Sequence, residues 1–121
     1  MESPITVVLR YRDGRTERAS LVETDVDQQI VRVVRDEAET EDVPFSALKA
    51  LFFPRNGPEE ALEEPAGSTI TVEFADGEVI HGLAHYNPER NGFFLFPLDR
   101  SKNDRIFVVN SAIVSIEVEK L

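Results

Sequence analysis

Apolar residues recur at every second position near the start of the chain, where Val7, Leu9 and Tyr11 alternate with Val8, Arg10 and Arg12. A period of two marks a β-strand with one face turned to a core. Ile70, Val72 and Phe74 alternate in the same way with Thr71, Glu73 and Ala75. Each run leads into Asp-Gly, at Asp13-Gly14 and Asp76-Gly77. Asp-Gly between alternating runs predicts a hairpin, with a two-residue type I′ turn as the favoured form. Further strands are predicted over 16–22, 29–35, 41–45 and 48–53, and again over 78–85, 92–97, 105–109 and 113–118. Phe93-Phe94-Leu95-Phe96 is a continuous apolar run, which predicts burial on both faces.

The pattern is written twice. Val7–Gly14 reads like Ile70–Gly77 at an offset of 63, and Ile30-Val31 falls on Phe93-Phe94 at the same offset. Ser46-Ala47-Leu48-Lys49-Ala50-Leu51 matches Ser111-Ala112-Ile113-Val114-Ser115-Ile116 at an offset of 65. The second copy therefore holds two extra residues, placed most simply in the loop 99–104. Three matches in one order point to duplication. The expected organisation is a first unit over 1–53, a Pro/Glu-rich linker over 54–67, and a second unit over 68–121. Three prolines and two glycines keep the linker from forming a long regular element. The fold class expected is all-β, as two tandem five-stranded small barrels packed together.

A unit of this pattern resembles the small, strongly bent barrels of the SH3 and Sm type, and most closely Sm-like proteins. The residues that carry the resemblance are the alternating strands, the turns Asp13-Gly14 and Asp76-Gly77, and the short apolar strand pair that ends each copy. What the resemblance implies is a bent five-stranded sheet in each half. It does not imply RNA binding here, because Ser46-Ala47 and Ser111-Ala112 stand roughly where Sm proteins carry an RNA-gripping Arg-Gly. The second copy also resembles a bacterial domain of unknown function, found alone or attached to signalling and surface-motility proteins. Gly92–Asp99 and Asn103–Val109 carry that likeness.

Composition narrows the function classes. The chain has 121 residues, 13 Lys+Arg against 23 Asp+Glu, and a formal net charge of −10. Phosphate affinity needs a basic face, so this balance argues against nucleic acid as a partner. There is no cysteine, which removes disulfides and Cys-based zinc sites. Apolar runs of about four to six residues fall far short of a membrane span. The first residues resemble neither a signal nor a transit peptide, so a cytoplasmic chain is expected.

Candidate chemistry is sparse. His81 and His85 are the only histidines. On a strand their spacing sets them about 13 Å apart, too far to share a metal. No Gly-x-Ser-x-Gly elbow surrounds any serine, and no glycine-rich phosphate loop is present. No catalytic residue, metal site or cofactor is therefore assigned, and the chain is not expected to be an enzyme. The loop that holds the insertion concentrates basic residues in an acidic protein, and Arg100, Lys102, Asn103 and Arg105 are its candidate contacts to an anionic ligand or a partner's carboxylates. Arg10, Arg12, Arg15 and Arg18 form a second basic patch, with Arg10 facing Glu17 across the first hairpin. Phe52 and Phe53 are expected to pack between the copies, since a unit of about 50 residues is marginal alone.

The function expected from these features is a non-catalytic protein–protein interaction module, an adaptor in bacterial regulation or signalling. Its partner would be a protein, met at sheet edges and loops, and a homodimer through exposed edges would serve the same need. The alternative is a small-ligand or nucleotide sensor built on the basic loop 99–105.

Overall fold

The structure is a computed structural model that describes residues 5–35, 39–54, 67–98 and 103–119. Its elements in chain order are β1 (Ile5–Tyr11), β2 (Thr16–Asp25), β3 (Ile30–Val34), β4 (Glu41–Pro44) and β5 (Leu48–Pro54), then β6 (Ser68–Phe74), β7 (Val79–Ala84), β8 (Gly92–Pro97), β9 (Asn103–Val109) and β10 (Ile113–Val118). A 3₁₀ turn precedes the last strand of each half, at Phe45–Ala47 and Asn110–Ala112. Among the described residues there is no α-helix, and no helix long and apolar enough to cross a membrane.

All ten strands belong to one antiparallel sheet, ordered β10-β6-β7-β8-β9-β5-β1-β2-β3-β4. The all-β class expected is present, but in place of two tandem barrels packed together the strands form this single sheet, not closed into a barrel. Each half keeps the same internal order, with its fifth strand beside its first. Neither half closes on itself, because β5 pairs along its other side with β9 of the second half. The physical reason lies in the side chains at that junction. Leu51 stands opposite Phe107 and Phe52 opposite Ile106, so the two apolar strands bury one another while satisfying their backbone groups.

The two Asp-Gly turns have the same geometry, and it is not the expected one. The Gly14 N–H donates to the Tyr11 carbonyl at 3.1 Å and the Tyr11 N–H to the Arg15 carbonyl at 2.9 Å. The Gly77 N–H donates to Phe74 at 2.9 Å and the Phe74 N–H to Glu78 at 2.9 Å. Only the glycines take positive φ, +95° at Gly14 and +91° at Gly77. This is a three-residue loop closed by a left-handed glycine, not a type I′ turn. The aspartates work through their side chains: Asp13 accepts the Arg15 N–H and Asp76 the Glu78 N–H.

The extra loop residue shifts the register by one. Leu9 lies opposite Glu17, and Arg10 opposite Thr16. Glu17 accordingly leaves the arginine face and accepts the Tyr11 hydroxyl at 2.9 Å, with Arg35 on its other side. The expected Arg10–Glu17 pair is thereby replaced.

The core is continuous across both halves, from Val7, Leu9 and Val31 to Ile70, Val72 and Leu95. Rings tie it at the junction, where Phe107 meets Phe45 at 5.6 Å and Phe94 at 5.1 Å between centroids. The run at 93–96 is buried on one face only. Phe93 and Leu95 are buried, but Phe94 is 41% exposed.

Candidate functional site

Two features of the described surface are organised enough to act. One is a charged notch between the halves, and the other is the free side of β10.

The notch begins with Lys49, a single charge inside the otherwise apolar strand β5. It is 5% exposed, the only buried charged residue of the described chain. A buried ammonium needs partners, and the second half supplies them. Nζ stands 2.7 Å from an Asp76 carboxylate oxygen and 2.5 Å from one of Glu78. Arg10 reaches Glu78 at 3.3 Å while its guanidinium lies over the Phe52 ring at 4.4 Å. Arg12 donates to the Phe45 carbonyl at 3.0 Å, the Leu48 carbonyl at 2.9 Å and the Ser111 hydroxyl at 2.6 Å. The arginine patch of the first hairpin thus meets the Asp-Gly turn and the 3₁₀ turn of the second half. Lys49 and the Glu78 N–H hold the Asp76 carboxyl below the usual carboxylate range.

Between the two Asp-Gly turns these groups line an open hollow of about 430 Å³. Its walls include Arg10, Arg15, Lys49, Asp76 and Glu78. Arg10 and Lys49 there pair with Glu78 and Asp76, and Arg15 pairs with Asp13 outside the walls, so each cation of the hollow already has a carboxylate. Chemically it is a clamp that joins the halves.

The structure describes two of the four predicted contact residues of the insertion loop. Arg100 and Lys102 lie outside the described residues. Asn103 opens β9 opposite Pro54. The Arg105 guanidinium stacks on Phe53 at 4.6 Å and Phe94 at 5.4 Å, and contacts the Asp104 carboxylate at 3.5 Å. Phe53 itself sits 5.9 Å from Phe94 of the other half, and Phe52 lies beneath Arg10. His81 stands on β7 with Nδ1 3.0 Å from the Thr71 hydroxyl, and His85 falls just beyond that strand. Among the described residues no three His, Cys, Asp or Glu side chains gather as a metal site would require.

The sheet's two outer edges differ sharply. On β4 the Phe45 N–H donates inward to Gln29 at 2.8 Å. Alternation along an antiparallel ladder then turns Val43 and Glu41 inward, and Asp42 and Pro44 outward. Proline has no N–H, so this edge lacks a donor at Pro44. Glu41 is bound by Arg35, and Asp42 by Arg32 at 2.8 Å. A short strand with a proline and two carboxylates is a guarded edge.

On β10 the Glu119 N–H donates inward to Thr69 at 2.9 Å. Glu117 and Ser115 therefore face β6, while the N–H groups of Ile116 and Val118 point away from the sheet. Trans peptide planes turn the carbonyls of Val114, Ile116 and Val118 the same way. The strand carries no proline, and Val114 and Val118 are 60% and 42% exposed. This edge is open. A register shift between Ile113 and Ser115 marks a bulge at its start, and the rest pairs regularly with β6.

Lys49, Glu78 and the open edge were not visible as sites in the sequence. A signal existed for Lys49, which interrupts Leu48–Phe53 where the second copy has Val114. No curated protein and no solved structure matches the chain. One family model, described as a family of unknown function (DUF6982), matches residues 3–120. That span takes in both halves of the sheet, the clamp between them and the two edges, so the chain belongs to the DUF6982 family.

Proposed function

We propose that the chain is a non-catalytic protein-interaction module, an adaptor or regulatory accessory that adds an extended segment of its partner to β10. The observation that carries this reading is the asymmetry of the edges. Pro44 and paired carboxylates guard β4, whereas β10 offers a row of outward N–H and C=O groups flanked by apolar side chains. The identical strand order of the halves supports reading them as two SH3- or Sm-like units whose sheets have merged. A ligand sensor on the loop 99–105 draws less support, since Arg105 is stacked on Phe53 and Phe94 and paired with Asp104.

The test uses Val118→Pro, which deletes an outward N–H and leaves the ladder to β6 intact. Under gentle capture, the parent chain should hold a stoichiometric protein whose binding slows amide exchange at Ile116 and Val118. The variant should lose that protein. Capture that survives the substitution, or exchange protection elsewhere than β10, would overturn the reading.

A further inference from the structure

Resting on the open-edge reading, we infer that the strand added at β10 is β10 of a second copy, in a two-fold dimer centred on Ile116. Three pairings between copies are available to the two edges. Pairing β4 with β4 sets guarded edges against one another, each missing the donor at Pro44. Pairing β4 with β10 would repeat the junction of β5 with β9. Carrying that register over by the 65-residue offset puts Glu117 opposite Glu41 and Ile116 opposite Asp42. Like charges directly opposed destabilise such a pair, and a carboxylate facing isoleucine gains nothing from burial. The contact that joins the halves within one chain is thus blocked between chains.

Pairing β10 with β10 meets neither obstacle. Outward groups at Ile116 match outward groups at Ile116 of the second copy, so the N–H and C=O of each reach the other across the two-fold axis. The Val118 N–H meets the outward Val114 carbonyl of the second copy, twice by symmetry. The same register places Val118 beside Val114, covering the two exposed apolar residues of the strand. Glu117 falls opposite Ser115. Moving the axis to Glu117 would oppose glutamate to glutamate, and moving it to Ser115 would carry Val118 past the end of the second copy's strand, so charge and length together select the Ile116 register. The sheet then runs on unbroken from one copy into the next.

A seam one strand long is at the small end of interfaces, and both copies are acidic. Association should therefore be weak and should strengthen as salt screens the repulsion. Sedimentation of the full chain from about 10 µM to about 1 mM should show a monomer–dimer equilibrium, tighter in high salt. Val118→Pro should weaken it at least about tenfold. Val118→Lys, which keeps the N–H and places a charge at the seam, should do the same and guards against misfolding of the proline variant. Because the chain has no cysteine, single cysteines report the register cleanly. Ile116→Cys should form the intermolecular disulfide fastest, ahead of Glu117→Cys and Asp42→Cys. A monomer throughout the range, a dimer indifferent to both Val118 variants, or faster crosslinking at Glu117 or Asp42 would overturn the dimer. The open-edge reading would survive a monomer whose Ile116 and Val118 amides gain protection from a different protein, and would fail with the dimer if they gain none.

Discussion

Strands β5 and β10 hold the same place in their halves, yet one is the middle of the molecule and the other its rim. Leu48, Lys49, Ala50, Leu51, Phe52 and Phe53 correspond in turn to Ile113, Val114, Ser115, Ile116, Glu117 and Val118. The first set is buried throughout; of the second, Ile113 and Ile116 are half-buried and the others exposed. The strand order does not make this difference, since it is the same in both halves. Side chains do. Phenylalanines at 52 and 53 reward a second neighbour with buried area, whereas glutamate at 117 is suited to water. A duplicated fold has in this way placed one junction inside the chain and left one edge open.

Truncating equivalent residues of the two strands should cost very different amounts. Phe53 is 4% exposed and lies under Arg105 and against Phe94. Phe53→Ala should cost about 3–5 kcal/mol by the usual toll of an emptied aromatic site. Val118→Ala, its counterpart, should cost less than about 1 kcal/mol, because the side chain is already half in water. Denaturant melts of both variants check this. Equal losses would mean that β5 is no more central to stability than β10.

The second contrast sets Lys49 against Val114. Lys49→Met keeps much of the side chain's volume but strips Asp76 of its cation and leaves Glu78 with Arg10 alone. Both carboxylates are about one-third exposed, which tempers the penalty of a broken buried pair to about 1–3 kcal/mol. Val114→Met should be close to neutral. A stable Lys49→Met variant would show that the clamp adds nothing to the apolar junction beneath it.

These contrasts also mark how much could be read in the sequence. The strands were legible because alternation at Val7–Tyr11 and Ile70–Phe74 states directly which residues face a core. Alternation names faces and not neighbours, so the pairing of β5 with β9 was hidden, and two closed barrels looked as natural as one sheet. The Asp-Gly turns were visible, but their loop length was not. A two-residue loop would set Arg10 against Glu17; the three-residue loop sets it against Thr16. That single step sent Glu17 to Tyr11 and Arg35 and left Arg10 for Glu78. Lys49 and Asp76 are 27 residues apart, and no local rule pairs them. The open edge was hidden for a different cause, since it follows from which N–H groups point outward.

Where the halves agree, substitutions should agree as well. Gly14 and Gly77 share a left-handed φ, and a Cβ at either would meet nothing within 4 Å. The only charge against alanine is therefore the backbone conformation, about 1–2 kcal/mol at each turn. Gly14→Ala and Gly77→Ala should lower stability by matching amounts. A much larger loss at Gly77 would mean that its turn is also held rigid by the Lys49 clamp.

The smallest expected effect is the dependence on acid, and it separates the clamp from the rim. Asp76 is held low by Lys49 and the Glu78 N–H, and Glu17 by the Arg35 guanidinium. A carboxylate whose folded pKa lies below its unfolded value lends stability above that unfolded value and loses it as pH falls through the folded one. Ordinary carboxylates titrate near pH 4, so these two should leave stability level from pH 7 to about pH 5 and lower it below about pH 4. Tyr11 works in the other direction. Burial and then Glu17 raise its phenol, so its share is present at neutral pH and fades as pH climbs past about 10. Lys49→Met removes the main cause of the Asp76 shift and should flatten the acid limb of a thermal-melt series. Val114→Met, at the same place on β10, should leave that limb unchanged. If both variants kept the parent's acid limb, the acid response would belong to the carboxylates that arginines hold low, Asp13, Glu17 and Asp42, and the clamp between the halves would be electrostatically silent.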